Sequence, residues 1–207
     1  MQLDNVLTSI SKMIGVGFIF LSPPLVFAQQ GDHAHHHHAP SAVVQDKRSV
    51  ENYIVPAINM VRHEGSKVNF KADLDDGRPV MLNFIYTSCT AICPVTTQVF
   101  SQVQEKLGAE VAKLHMVSVS IDPEYDSATR LDAFAKKYNA GPQWTFYTGT
   151  REASITIQKA LGAYRGDKMN HVPVTYFRAA PGKPWIRLDG LRGPDDLIKE
   201  IRNLRAG

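Results

Sequence analysis

The stretch Phe84-Ile85-Tyr86-Thr87-Ser88-Cys89-Thr90-Ala91-Ile92-Cys93-Pro94 holds the only two cysteines of a 207-residue chain. Ahead of them, Val80-Met81-Leu82-Asn83-Phe84-Ile85-Tyr86 is nearly continuously apolar, as expected of a strand buried on both faces of a parallel sheet. Behind them, Val95, Val99, Val103 and Leu107 recur at four-residue spacing until Gly108 supplies a stop. That spacing predicts a helix with Pro94 at its first position. Cys93 precedes the proline, which disfavours helical dihedrals, so it is expected at the helix cap with Cys89 in the loop ahead. A helix N-terminus favours negative charge, and both sulfurs are therefore expected to ionise more readily than a free thiol. Three intervening residues give a loop roomy enough for a disulfide, or for two thiolates around one soft ion such as Cu(I). A purely structural disulfide would gain little in so short a loop.

Working outward, residues 57–62 and 67–70 bracket Glu64-Gly65-Ser66 and predict a hairpin. Asp75-Asp76-Gly77-Arg78-Pro79 is a turn cluster. Residues 114–121 form the next strand, ending at Asp122-Pro123. A helix follows, capped by Asp126 or Ser127, with Leu131, Phe134 and Tyr138 on one face. Residues 144–147 make a third strand. Thr150 caps a helix that buries Ala153, Ile157 and Leu161. Residues 174–178 and 185–188 form a second hairpin, and Pro194 opens a last helix with Leu197, Ile198, Ile201 and Leu204 facing inward. Strands alternating with helices argue for an α/β fold with helices covering a central sheet. With a cysteine pair at a strand-to-helix turn, the best fit is a thioredoxin-like three-layer sandwich: a central mixed sheet with an added N-terminal hairpin.

A third ligand would have to converge on the cysteine turn. His171 is the candidate: if the strand 174–178 lies antiparallel beside 80–86, its beginning abuts the other's end, and His171 faces the cysteines. His115 lies within a strand and His63 beside a hairpin turn, so both are expected in surface or satisfied-core roles. Pro173 opens the 174–178 strand and is a candidate cis peptide opposite the cysteines. Asp122 ends its strand at the sheet edge where ligand crevices form, able to tune the site or contact a partner; an Asp-Pro pair is equally an ordinary turn former. Met169 and Met116 can bind Cu(I), although packing is the commoner use of methionine.

The N-terminal part has a different character. Lys12 precedes an apolar run that reaches Leu21, then two prolines and a Val26-Phe27-Ala28 ending, which predicts a secretory signal over residues 1–28 cleaved after Ala28. Export to a periplasmic space is the expected address, with an uncleaved membrane anchor as the alternative. Residues 29–49 include five of the eight histidines, His33, His35, His36, His37 and His38, and few apolar side chains. Such a tract makes a flexible tether and an accessory site for Cu(II), Zn(II) or Ni(II). The folded domain is expected over residues 50–207. The net charge of +3 is small and the basic residues are scattered, which argues against nucleic acid as a partner.

With these residues in place, the sequence resembles the Sco/SenC family of copper-handling, thioredoxin-like proteins over about residues 53–204. The likeness is carried by 83–94, by Val119-Ser120-Ile121-Asp122-Pro123-Glu124, and by His171. It implies that Cys89, Cys93 and His171 bind one copper ion as Cu(I) or Cu(II). It also implies delivery of copper, or of reducing equivalents, to the binuclear copper centre of cytochrome c oxidase subunit II or to another cuproprotein. Other copper chaperones and thioredoxin-like reductases are implied as further partners. Asn170 stands where many members carry an acidic residue, and Val172-Pro173 resembles a bacterial branch of the family. Three functions compete: a copper metallochaperone, a thiol–disulfide oxidoreductase in which Cys89 attacks and Cys93 resolves, and a metal buffer working through the His tract.

Overall fold

Val80–Ile85 is buried at all six positions, and the rest of the sheet is laid out around it. The structure is a computed structural model that describes residues 47–206. The expected signal and the tract His33–His38 lie outside the described residues. In chain order the strands are β1 (Arg48–Glu51), β2 (Asn59–Arg62), β3 (Lys67–Asn69), β4 (Val80–Ile85), β5 (His115–Ser120), β6 (Trp144–Thr148), β7 (Val174–Arg178) and β8 (Trp185–Asp189). The helices are α1 (Phe70–Leu74), α2 (Ile92–Leu107), α3 (Ala128–Lys137), α4 (Arg151–Ala160) and α5 (Pro194–Ala206).

The strands form one mixed sheet in the order β1-β8-β7-β4-β5-β6-β2-β3. β4, β5 and β6 are parallel, and β7 runs antiparallel to β4 with Asn83 opposite Thr175. Side chains of β4 alternate between two apolar layers, Met81 and Ile85 to one and Val80, Leu82 and Phe84 to the other, which is why the strand is apolar throughout. The first layer packs under α2, α3 and α5 through Phe100, Val103, Leu131, Phe134, Leu197 and Ile201. The second packs under α1 and α4 through Phe70, Leu74 and Ile157. The result is the expected thioredoxin-like three-layer sandwich. The expected N-terminal hairpin is β2–β3, and it extends the sheet beyond β6.

Several local expectations are corrected. β1 pairs with β8 and moves the start of the fold back to Arg48. Pro94 is the third residue of α2 and Cys93 the second. The first four N–H groups of any helix lack an internal partner, so proline is tolerated beyond the first position. Val95 is exposed and does not line the core, whereas Phe100 does. A strict four-residue spacing drifts about 40° per step around a helix, enough to carry Val95 off the face that buries Leu107. Ser127, not Asp126, caps α3, accepting from the Arg130 N–H at 3.2 Å. Thr150 caps α4 as expected, accepting from Ala153 N–H at 3.1 Å. The turn of 3-10 helix after Gly108, and the short helix α1 capped by Asn69, carry too little periodicity to read from sequence.

His115 proves to be a core residue at the start of β5, its Nδ1 3.2 Å from an Asp76 carboxylate oxygen. Burial outweighs that neighbour and holds its pKa down at about 4. An unfolded histidine titrates near 6.5, so the unfolded chain takes up the proton first and stability is lost as pH falls from about 6.5 to about 4. Each pKa unit is worth about 1.4 kcal/mol, so His115 alone accounts for up to roughly 3 kcal/mol of that loss. Urea unfolding at pH 7 and pH 4.5 checks this: wild type should lose stability on acidification, and His115→Gln should lose distinctly less.

Candidate functional site

The parallel strands β4 and β5 end on the same edge of the sheet, and the cysteine loop leaves from there. A buried carboxylate anchors that exit. Asp126 accepts from the Thr87 backbone N–H at 3.1 Å, from the Thr87 hydroxyl, and from the Ser120 hydroxyl at 2.6 Å. Thr87 lies in the loop just after β4 and Ser120 ends β5, so one side chain ties the loop to the neighbouring strand. Cys89 N–H then donates to Tyr86 O at 3.2 Å, folding the loop back toward α2.

The two thiols are free and adjacent but unequal. Cys93 is 1% exposed, and its backbone N–H points at Cys89 Sγ, 3.5 Å away. Burial opposes ionisation of Cys89, yet N–H groups of Cys93 and Ala91, the Cys93 thiol and the Tyr86 hydroxyl together bring its pKa below the ordinary cysteine value. Burial drives the Cys93 pKa well up, and the nearby Cys89 sulfur and Asp126 carboxylate push the same way. Only one of the two sulfurs is therefore easy to ionise, contrary to the sequence expectation.

His171 stands just ahead of β7, and the antiparallel pairing brings it to the end of β4 as expected. Its Nε2 lies 3.1 Å from Phe84 O. A carbonyl only accepts, so Nε2 carries the proton and the Nδ1 lone pair is left for a ligand. Burial holds the His171 pKa at about 4, and the imidazole is neutral at physiological pH. Among the described residues no three His, Cys, Asp or Glu side chains are gathered closely enough to form a metal site, so His171 is near the cysteine turn without closing on it. Pro173 is half-buried beside it, its carbonyl accepting from Gly190 N–H at 3.0 Å.

Asp122 forms the expected turn and an ion pair besides. Its backbone carbonyl accepts from Tyr125 and Asp126 N–H groups, making the turn after β5. Its side chain takes Lys168 Nζ at 2.5 Å. Lys168 opens the 3-10 turn Lys168–Asn170 that leads to His171, so the ion pair ties that turn to the end of β5. A crevice of about 280 Å³ opens here between Ile121, Asp122, Arg151, Arg165, Lys168 and His171. Met116 is packed in the core, whereas Met169 is 74% exposed. His63 belongs to the β2–β3 hairpin, its ring edge-on to Phe146 at 5.7 Å.

Three residues of the site were not singled out from sequence. Asp126 was read only as a helix cap, and Lys168 was given no role. Tyr86 was read as the end of a strand, but its ring packs edge-on to His171 at 6.5 Å and its hydroxyl lies beside the Cys89 sulfur. An aromatic residue closing an apolar run three positions before a cysteine was the available signal.

The unequal thiols are directly testable. Iodoacetamide at pH 7 should modify Cys89 rapidly in the Cys93→Ser variant, and Cys93 at least about tenfold more slowly in Cys89→Ser, since the thiolate is the nucleophile. Peptide mass spectrometry over a time course reads both rates.

Three comparisons with known proteins agree with this architecture. The family model described as SCO1/SenC matches residues 46–205. The SCO1 protein homolog of Bacillus subtilis is 28% identical over 163 residues, covering 73% of this chain and 83% of that protein. The solved structure of BsSco, described as a member of the Sco family of cytochrome c oxidase assembly proteins, superimposes with a TM-score of 0.64 at 27% identity, over 75% of this chain and 95% of that one. The copper-bound ScoI of Bradyrhizobium japonicum shares the fold, with a TM-score of 0.62 at 18% identity, over 73% of this chain and 99% of that one. The chain, with its cysteine pair on a thioredoxin-like sheet edge, belongs to the SCO1/SenC family.

Proposed function

We propose that this protein is an exported copper metallochaperone that binds one copper ion through Cys89, Cys93 and His171 and hands it to an apo-cuproprotein. The recipient we assign is the binuclear copper centre of cytochrome c oxidase subunit II. The reading is carried by the pairing of two free, adjacent thiols with a neutral histidine at the neighbouring strand start. Thiolates and imidazole suit Cu(I), which accepts low coordination numbers. Cys89 is poised to ionise first, and copper binding then draws the proton from Cys93, as ligation requires deprotonated sulfur. His171 enters already neutral and offers its Nδ1 lone pair once it and the cysteine loop draw together. The copper-bound Bradyrhizobium relative and the assembly role given for BsSco support copper as cargo and an oxidase as its destination.

Export follows from the N-terminal reading of residues 1–28. No helix among the described residues is long and apolar enough to cross a membrane. Within this proposal, the residues from 29 to the start of β1 form the tether, and His33, His35, His36, His37 and His38 are an accessory capture tract.

The unequal thiols also favour a second reading, thiol–disulfide exchange with a partner's metal-binding cysteines. Cys89, ionisable and partly exposed, would attack the partner's disulfide, and buried Cys93 would resolve the mixed disulfide. The partner would leave as a dithiol and this chain as the Cys89–Cys93 disulfide.

Copper analysis of the reduced protein separates these readings. The chaperone predicts close to one copper per wild-type chain, with strong loss in each of Cys89→Ser, Cys93→Ser and His171→Ala. Absence of copper in the wild type, together with a readily reduced disulfide, would leave only the exchange reading.

A further inference from the structure

Methionine usually packs, yet Met169 is 74% exposed, and it is held in place from both sides. Its backbone N–H donates to the Asp167 carboxylate at 2.8 Å, and the adjacent Lys168 is pinned to Asp122. Lys168 also lies over the Tyr86 ring, 5.7 Å from its centroid. From this turn the Met169 thioether reaches the Tyr86 hydroxyl, with Sδ 3.9 Å from the oxygen. The same hydroxyl lies beside the Cys89 sulfur, and the Tyr86 carbonyl accepts from the Cys89 N–H at 3.2 Å. Two soft sulfurs, one an exposed thioether and one a partly exposed thiol, thus share a single polar neighbour at the mouth of the site. The same Tyr86 ring abuts His171.

We infer that Met169 and Cys89 form an outer capture pair for Cu(I), which takes the ion at the surface before it moves inward to Cys93 and His171. The inference rests on the copper-chaperone reading and adds a loading step to it. A thioether is a soft neutral donor that Cu(I) accepts and that harder divalent ions do not, so the outer pair also selects the ion. Met169 has an unbranched side chain with three rotatable bonds, so its sulfur can swing from the Tyr86 hydroxyl to a metal on Cys89 without moving the backbone turn. At capture the Cys89 thiol releases its proton to solvent as the copper–sulfur bonds to Cys89 and Met169 form. At the inward step Cys93 releases its proton, the copper bonds to Cys93 and His171 form, and the bond to Met169 breaks. Copper remains Cu(I) throughout.

The test uses the reduced protein labelled with 13C at its methionine methyl groups and titrated anaerobically with the acetonitrile complex of Cu(I). The Met169 resonance is assigned as the one missing in Met169→Leu. In Cys93→Ser, which cannot complete the inner site, the Met169 methyl should shift on addition of Cu(I). In stopped flow, Met169→Leu should load with Cu(I) about tenfold more slowly than wild type, a barrier change of about 1.4 kcal/mol, while its equilibrium copper content is unchanged. Met169 outside the inner site explains that split. Stoichiometric copper in wild type, with the Met169 methyl unmoved in Cys93→Ser and Met169→Leu loading at the wild-type rate, would overturn this inference alone. A Met169 shift without copper on Cys93 or His171 would keep the outer pair and sink the chaperone reading. No copper and no shift would overturn both.

Discussion

The buried Asp126 carboxylate fixes how the cysteine loop leaves the sheet, and the chemistry of the site follows from it. It accepts from both donors of Thr87 and from Ser120, so the second residue after β4 is locked to the end of β5. Losing one hydrogen bond to such a charged group typically costs about 1.5–3 kcal/mol. With Thr87 held, the loop turns through the Cys89 N–H to Tyr86 O contact and enters α2 with Cys93 beneath it. The same carboxylate adds to the burial that opposes ionisation of Cys93, so the anchor of the loop also widens the inequality of its two thiols.

That inequality suits a carrier. A partly exposed sulfur that ionises easily can meet an incoming ion or a partner's disulfide, while a buried one that ionises with difficulty completes the bond only when a metal or sulfur electrophile arrives. Around this pair the sheet edge collects the other components. β7 delivers His171 beside the end of β4, and the Asp122–Lys168 pair fixes the turn that precedes it. Lys168 is about two-fifths exposed, so that pair contributes little to stability, on the order of 1 kcal/mol or less. Its effect is positional: it keeps Met169 and His171 within reach of Tyr86.

The fold was largely legible because its signals are local. The apolar run of β4, the caps Thr150 and Ser127, and the hairpin turns each declare themselves within a few residues. The cysteine pair and its place at a strand-to-helix turn were equally plain, and the antiparallel partner of β4 followed from topology. The roles of Asp126 and Lys168 were not legible, because each acts across the fold, on Thr87 and on Asp122, and no local pattern marks either. The ionisation of Cys93 was misjudged for a reason of magnitude. A helix N-terminus is worth roughly 0.3–1 kcal/mol, less than one pKa unit, whereas full burial can shift a thiol by several units in the opposite direction. Burial therefore wins at Cys93, while Cys89, less buried and supplied with N–H donors, keeps the expected sign.

X-ray absorption on the Cu(I)-loaded protein tests the central claim most directly, because it counts the ligand atoms on the copper itself. The account predicts two sulfur scatterers and one imidazole nitrogen in wild type, and no imidazole nitrogen on whatever residual copper His171→Ala retains. A wild-type spectrum without an imidazole contribution, or one unaltered by His171→Ala, would contradict the binding of copper by Cys89, Cys93 and His171.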